Sequence, residues 1–274
     1  KLLPIINELG QLPGLDLQEL SIFFILILVS SLRVGAFLIA APFFGSRMVP
    51  LQIRIVFSFC LGFWILDVAA FPDVSELLGV KLIPIVFQEI IIGVSAGMLV
   101  SIAFAAVGLA GEKIAATSGL AFASQVDPTG AGQSPVISSF FTLFMIVIFF
   151  SLNGHLVVFS LIHDSFEAIP IGKFDDYARL PVMGLAAGEL MLHTSALLML
   201  PLVSIMLLIN VSIGFITKSA PQLNLFSFGF PMTLLGAFFI LYFSVDALAF
   251  GFQDLTKAIL KLLGNLLLGE PNGG

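Results

Sequence analysis

The sequence predicts an all-α integral membrane protein, and three observations carry that reading. The chain of 274 residues is 59% hydrophobic and 10% charged, with a mean hydropathy of +1.13. A soluble domain carries about 25% charged residues to cover its surface. Long stretches hold no formal charge at all: 90–111, 135–154, 194–217 and 219–245 run for 20 to 27 residues. A helix of about 20 apolar residues crosses the ~30 Å hydrocarbon core of a bilayer. The runs are continuously apolar rather than alternating, which fits helices and excludes barrel strands.

Six apolar segments follow in order: 20–42, 51–71, 84–111, 135–162, 188–217 and 230–250. Polar punctuation separates them. Residues 45–50 form a short turn, 72–81 carry two acids and a lysine, and 169–181 hold Lys173, Asp175, Asp176 and Arg179. A tight link at 218–224 contains Pro221. Residues 1–19 read as an N-terminal extension. They have no compact apolar core, so a secretory signal peptide is not expected. Beyond 253 comes a tail with a short amphipathic stretch at 255–263, where Lys257 and Lys261 are four apart. The single cysteine, Cys60, excludes an intrachain disulfide. Apart from Arg33 and Arg54, the Lys/Arg residues divide six to three in favour of both termini being cytoplasmic, a weak asymmetry that leaves topology open.

Several charges fall inside or beside these segments. Arg33 lies mid-way through the first, Arg54 near the start of the second, Glu89 ahead of the long third run, and Asp246 in the last. Glu189 and His193, four apart, share a helical face. Charges at membrane depth cost several kcal/mol and face a partner, a cavity or a pore. Two readings stand for each: such a contact in assembly or burial, or snorkelling to the interface. A helix-end ion pair is the plainer alternative for Glu189 and His193. The third run carries a packing signal as well. Gly93, Gly97, Ser101 and Ala105 recur every fourth residue and form a small-residue stripe that lets helices approach closely. Gly184 and Gly188 repeat the spacing.

Residues 111–134, GEKIAATSGLAFASQVDPTGAGQS, are the least regular part. Asp127-Pro128 favours a turn, yet Gly119, Leu120, Ala121, Phe122 and Ala123 are apolar enough for membrane depth. Irregular backbone is tolerated there only under protein cover or along a cavity. A pore-constricting loop and an ordinary extramembrane loop both fit these residues.

No enzyme site is legible. Gly108, Gly111 and Gly119 lack the spacing and ending of a phosphate loop, and His155, His163 and His193 form no metal-binding pattern. Eleven scattered Lys/Arg make no nucleic-acid surface. No cofactor, no metal and no nucleic acid are expected. A secondary transporter for a small solute fits the interrupted segments and buried charges, but neither an internal repeat nor a dense polar binding site supports it.

Motifs along most of the chain are more specific. Arg33 is followed by Ala41-Pro42-Phe43-Phe44-Gly45, Val49-Pro50 and Arg54. Glu89 and Gly93 precede Gly111-Glu112, Gly119-Leu120-Ala121-Phe122-Ala123 and Asp127-Pro128. Then come Asn153-Gly154-His155-Leu156, Ser165-Phe166, Ile169-Pro170-Ile171-Gly172, Pro221-Gln222-Leu223-Asn224-Leu225-Phe226 and Gly229-Phe230-Pro231. In order and spacing the chain resembles the FliR/SpaR/YscT family of type III secretion export-gate proteins, most of all its flagellar branch, with the virulence-type injectisome branch as the alternative.

The resemblance implies a single-copy subunit of a gate built with FliP and FliQ, with FlhB at the cytoplasmic base, passing unfolded export substrates. It implies a FliP-like part over 20–172 joined to a FliQ-like helical hairpin over 184–252. Gly119 to Ala123, with Asp127 and Pro128, would constrict the pore. Pro221, Gln222, Leu223 and Asn224 would form the hairpin tip near the cytoplasm, against the weak charge bias. The expected location is the bacterial inner membrane at the flagellar basal body, in contact with lipid, with the gate partly raised toward the periplasm.

Overall fold

The computed structural model describes residues 17–42, 44–45, 49–72, 77, 79–119, 136–220 and 228–269. These residues form eight α-helices and no strand: α1 (Leu17–Ala40), α2 (Leu51–Ile65), α3 (Leu82–Thr117), α4 (Val136–Ser151), α5 (Gly154–Ala168), α6 (Arg179–Ser219), α7 (Phe230–Phe243) and α8 (Val245–Leu268). Among the described residues α1, α3 and α6 are long and apolar enough to cross a membrane, and two bent helix pairs raise the number to five. The protein is therefore an all-α integral membrane protein.

The expected segments hold with three differences. The second yields only the 15-residue α2, about 22 Å at 1.5 Å per residue and too short to span. The fourth breaks at Asn153, whose φ of 56° is left-handed and ends the helical ladder. Gly154 follows because a Cβ there would lie 2.6 Å from the Phe149 ring. The sixth breaks at Ser244, where α7 and α8 meet at 61°, and α8 then takes up the amphipathic stretch expected in the tail. Its buried Leu248, Phe252, Leu255, Ile259 and Leu263 fall on one face, with Asp254 and Lys257 exposed at the opposite side.

The chain forms two compact units. The first comprises Lys1–Ser101, His155–Ala186 and Ile259–Gly274. Its core is built on α1, whose Val29, Val34, Phe37 and Leu38 are sealed from solvent. Close backbone approach makes this packing possible. Gly62 of α2 sits against Ser31, 2.9 Å from where its Cβ would be, and Ser30 Oγ donates to the Gly62 carbonyl at 3.0 Å. The small stripe of α3 packs on the same helix. Gly97 lies under Ala40 and Phe37, and Ser101 Oγ donates to the Ala40 carbonyl at 2.6 Å. Small residues thus replace interdigitated large ones, as membrane helices do. The stripe stops short of its expected length, since Ala105 is exposed. No atom comes within 4 Å of a Cβ at Gly184 or Gly188.

The second unit comprises Ile102–Gly154 and Ala187–Ala258. Aromatic edges hold it: Phe104 meets Phe149 at 5.7 Å between centroids, and Phe252 of α8 receives Phe141 and Phe144 of α4 at 5.7 and 5.6 Å. Such pairs add about 0.5–1.5 kcal/mol each beyond area burial. Gly236 of α7 lets Ile209 of α6 approach, and Gly251 of α8 admits Leu198.

Candidate functional site

The first unit contains a buried charge cluster assembled from three helices. Arg33 projects from α1 and is 1% exposed, and Glu89 projects from α3 and is fully enclosed. Arg33 Nε donates to Glu89 Oε2 at 2.8 Å and Nη2 to Oε1 at 3.2 Å, a forked pairing across 56 residues of sequence. Nη1 donates to both the carbonyl and the hydroxyl of Ser165 at 2.9 Å, and Nη2 also reaches the Ile169 carbonyl at 3.0 Å. The guanidinium stacks over Phe166, 4.1 Å from its ring centre. Arginine has five N–H donors, matched here by five bonds.

The location explains the strength of the arrangement. Ser165 and Ile169 bracket the end of α5, where the dipole is negative. The Ser165 carbonyl already accepts from the Ile169 N–H at 2.8 Å, whereas the Ile169 carbonyl lies past the last turn, among those that lack a helical donor. Arg33 is both counter-ion to Glu89 and cap to α5. Nearby, Gln88 Nε2 donates to the Phe174 carbonyl at 2.8 Å. The segment after α5 was expected as the most charged loop. It also buries Ile169, Ile171 and Phe174, and Gly172 makes its turn with φ of +76°.

Arg54 and Glu89 were both expected in assembly or buried contacts, and their settings differ. Arg54 is half-buried and donates from Nη2 to the Val49 carbonyl at 2.8 Å. Glu189 and Asp246 are exposed, as is His193. Of the two roles expected for Glu189 and Asp246, burial within the chain is therefore absent, and a role in assembly remains. Among the described residues Glu189 and His193 form no ion pair with each other. Asp246 lies in the first turn of α8, where the helix dipole favours a carboxylate by about 0.3–1 kcal/mol.

The expected constriction begins in the second unit. Gly119 adopts φ of +79°, the left-handed turn that ends α3. Leu120, Ala121, Phe122, Ala123, Asp127 and Pro128 lie outside the described residues, as do Pro221, Gln222, Leu223 and Asn224 of the expected hairpin tip. Asn210, which sequence reasoning passed over, donates from Nδ2 to the Thr117 carbonyl at 3.0 Å, where α3 ends ahead of the residues expected to form the constriction. Its signal was an amide inside the uncharged run 194–217. Near the start of α4, Ser138 Oγ donates to the Gly108 carbonyl at 3.0 Å.

Much of the remaining helical surface is apolar and exposed. On α2 the buried residues are Ser58, Gly62 and Ile65, while Ile53, Val56, Phe63 and Trp64 face outward. Only 22% of the most apolar stretch of α6 is buried. Phe140, Phe144, Phe238 and Tyr242 line part of a wholly apolar cleft of about 670 Å³ within the second unit. These are surfaces made for lipid or protein cover. They offer no polar chemistry.

The family model described as bacterial export proteins, family 1, matches residues 24–259. The chain belongs to this family. It is 31% identical over 246 residues to the flagellar biosynthetic protein FliR of Escherichia coli (strain K12), covering 88% of this chain and 92% of that protein. Its identity to the flagellar biosynthetic protein FliR of Aquifex aeolicus (strain VF5) is 30% over 239 residues, covering 86% and 92%. To that of Bacillus subtilis (strain 168) it is 25% over 242 residues, again 86% and 92%. The matched span of the export family takes in Arg33, Glu89, Ser165 and Asn210, and α8 as far as Ile259.

Proposed function

We infer that this chain is an export-gate subunit of the flagellar type III secretion apparatus, forming part of the pore through which unfolded flagellar proteins leave the cell. Membership of the export family, with flagellar biosynthetic proteins among its relatives, supports the reading. The observation that carries it is helix length set against exposure. α6 has 41 residues, about 60 Å at 1.5 Å per residue, twice the ~30 Å apolar thickness of a bilayer. Its exposed Leu185, Leu192, Leu197, Leu200, Leu208 and Phe215 are spread along about 45 Å of it at 1.5 Å per residue, more than that apolar thickness. Lipid tails cover about half of such a helix, so protein must cover the rest.

On this reading FliP and FliQ supply the cover, around one copy of this chain, with FlhB at the cytoplasmic base. The part over 20–172 acts as a FliP-like element and the hairpin over 184–252 as a FliQ-like one. The assembly sits in the bacterial inner membrane, partly raised toward the periplasm. The Arg33–Glu89 cluster gives the first unit a fixed internal frame, because a buried and fully bonded ion pair has little freedom to rearrange. The segment from Gly119 to Pro128 closes the pore with small and apolar side chains, and it opens by displacement without any covalent step. Energy comes from the proton motive force and from an ATPase elsewhere in the apparatus.

The native mass of the complex purified through a tag on this chain tests the reading. A particle containing one copy of this chain with several copies of FliP and FliQ supports it. A homo-oligomer free of other export subunits contradicts it.

A further inference from the structure

Asn210 occupies a costly position. It lies on α6 among exposed Leu207, Leu208 and Val211, and an amide in such surroundings is unfavourable unless its donors are taken. Its Nδ2 is taken by the Thr117 carbonyl, 93 residues away, at 3.0 Å. Thr117 is the last residue of α3, and its carbonyl is among the four that no helical N–H can reach.

The neighbouring carbonyls are served locally. The Ser118 N–H donates to Ile114 at 3.0 Å, Ser118 Oγ to Ala115 at 3.0 Å, and Thr117 Oγ1 to Ile114 at 2.9 Å. Thr117 alone of these takes its donor from another helix. Two residues later Gly119 turns the chain out of the helix toward 120–135. At the far end of that segment the return into α4 is held against α3, by the Ser138 bond to Gly108 and by Gly111, whose Cβ would lie 2.6 Å from Ser138 Cα.

We propose that Asn210 is a positioning residue that fixes the last turn of α3 and so sets where the chain enters the segment 120–135. Its consequence for conductance rests on the reading of that segment as the pore constriction. Its anchoring of α3 does not. Fraying of one helical turn would release about 3.6 residues into the segment.

The test compares the purified gate complex carrying wild-type chain, Asn210→Leu, Asn210→Gln, and a chain lacking residues 119–124. Hydrogen exchange at the Ser118 and Gly119 amides and ion conductance in planar bilayers are read on each. Leucine has the branching and heavy-atom count of asparagine and lacks the donor. It should speed exchange at Ser118 about fivefold, the effect of losing one hydrogen bond of ~1 kcal/mol, and should raise the closed-state leak. Glutamine keeps the donor and should recover most of both. If Asn210→Leu prevents assembly, Asn210→Ser replaces it, being polar but too short to reach Thr117.

Unchanged exchange and leak in Asn210→Leu, alongside a leak in the trimmed chain, overturns the proposal and leaves the constriction standing. No leak in the trimmed chain removes the constriction reading. Faster exchange in Asn210→Leu then still upholds the anchoring of α3, and unchanged exchange overturns it.

Discussion

Arg33 and Glu89 meet at 2.8 Å with both side chains sealed from solvent, which joins the middle of α1 to the first turns of α3. Removing one member of such a pair leaves an uncompensated charge in the interior. Glu89→Gln should therefore destabilise the chain by about 3–5 kcal/mol. Urea or thermal melts in detergent, followed by the fluorescence of Trp64, measure the loss. The double variant Arg33→Met/Glu89→Leu should lose less than either single change, about 1–3 kcal/mol, because it leaves only the Ile169 carbonyl without its donor. Equal stability of Glu89→Gln and wild type would refute the structural role given to the pair.

The small stripe of α3 makes a separate prediction. A Cβ at Gly97 would stand 2.6 Å from Ala40 Cβ and 2.8 Å from the Phe37 carbonyl. Gly97→Leu should force α1 and α3 apart and cost about 1–3 kcal/mol or more. Gly188→Leu provides the control, because a Cβ there would meet no atom within 4 Å apart from its own turn of helix. It should not lower the melting transition, since leucine is also the better helix former by about 0.5–1 kcal/mol. A selective loss of partner subunits from Gly188→Leu would mark α6 as a contact face.

Arg54 separates assembly from snorkelling. Its bond to the Val49 carbonyl is local, and the residue is half-buried on α2. Arg54→Glu should lower the amount of FliP and FliQ that co-purifies with the chain by several-fold. Full recovery of both partners would assign Arg54 to the membrane interface instead.

At the N-terminus of α8, Asp246→Asn should cost about 0.3–1 kcal/mol by removing a favourable charge from the helix dipole. A larger loss, or failure of the complex to form, would mean that Asp246 contacts a partner. Stability of the chain and yield of the complex distinguish the two.

The membrane class and the helical architecture were legible because long uncharged runs have one physical solution in lipid. The helix breaks were less so. Asn153 carries no proline to announce it, and the kink depends on how Gly154 fits under the Phe149 ring. Arg33 was legible as an anomaly, while its pairing with Glu89 and with the end of α5 was not, since contacts 56 and 132 residues distant leave no periodic trace. Glu189 and Asp246 were both read as candidates for assembly or burial and prove exposed, because hydropathy runs do not resolve which side of a helix a charge occupies. Asn210 was hidden for the opposite reason: one uncharged amide barely disturbs an apolar run. The second helix was read too long, because the apolar run continues past Ile65 after the helix has ended.

Secretion in a strain lacking this chain tests the central claim most directly. Flagellar filament proteins in the medium and swimming in soft agar are measured after clean deletion and after complementation. The export-gate account predicts that both are lost, and that the wild-type chain restores them. Normal secretion and swimming in the deletion strain, with no second copy of the gene present, would contradict it.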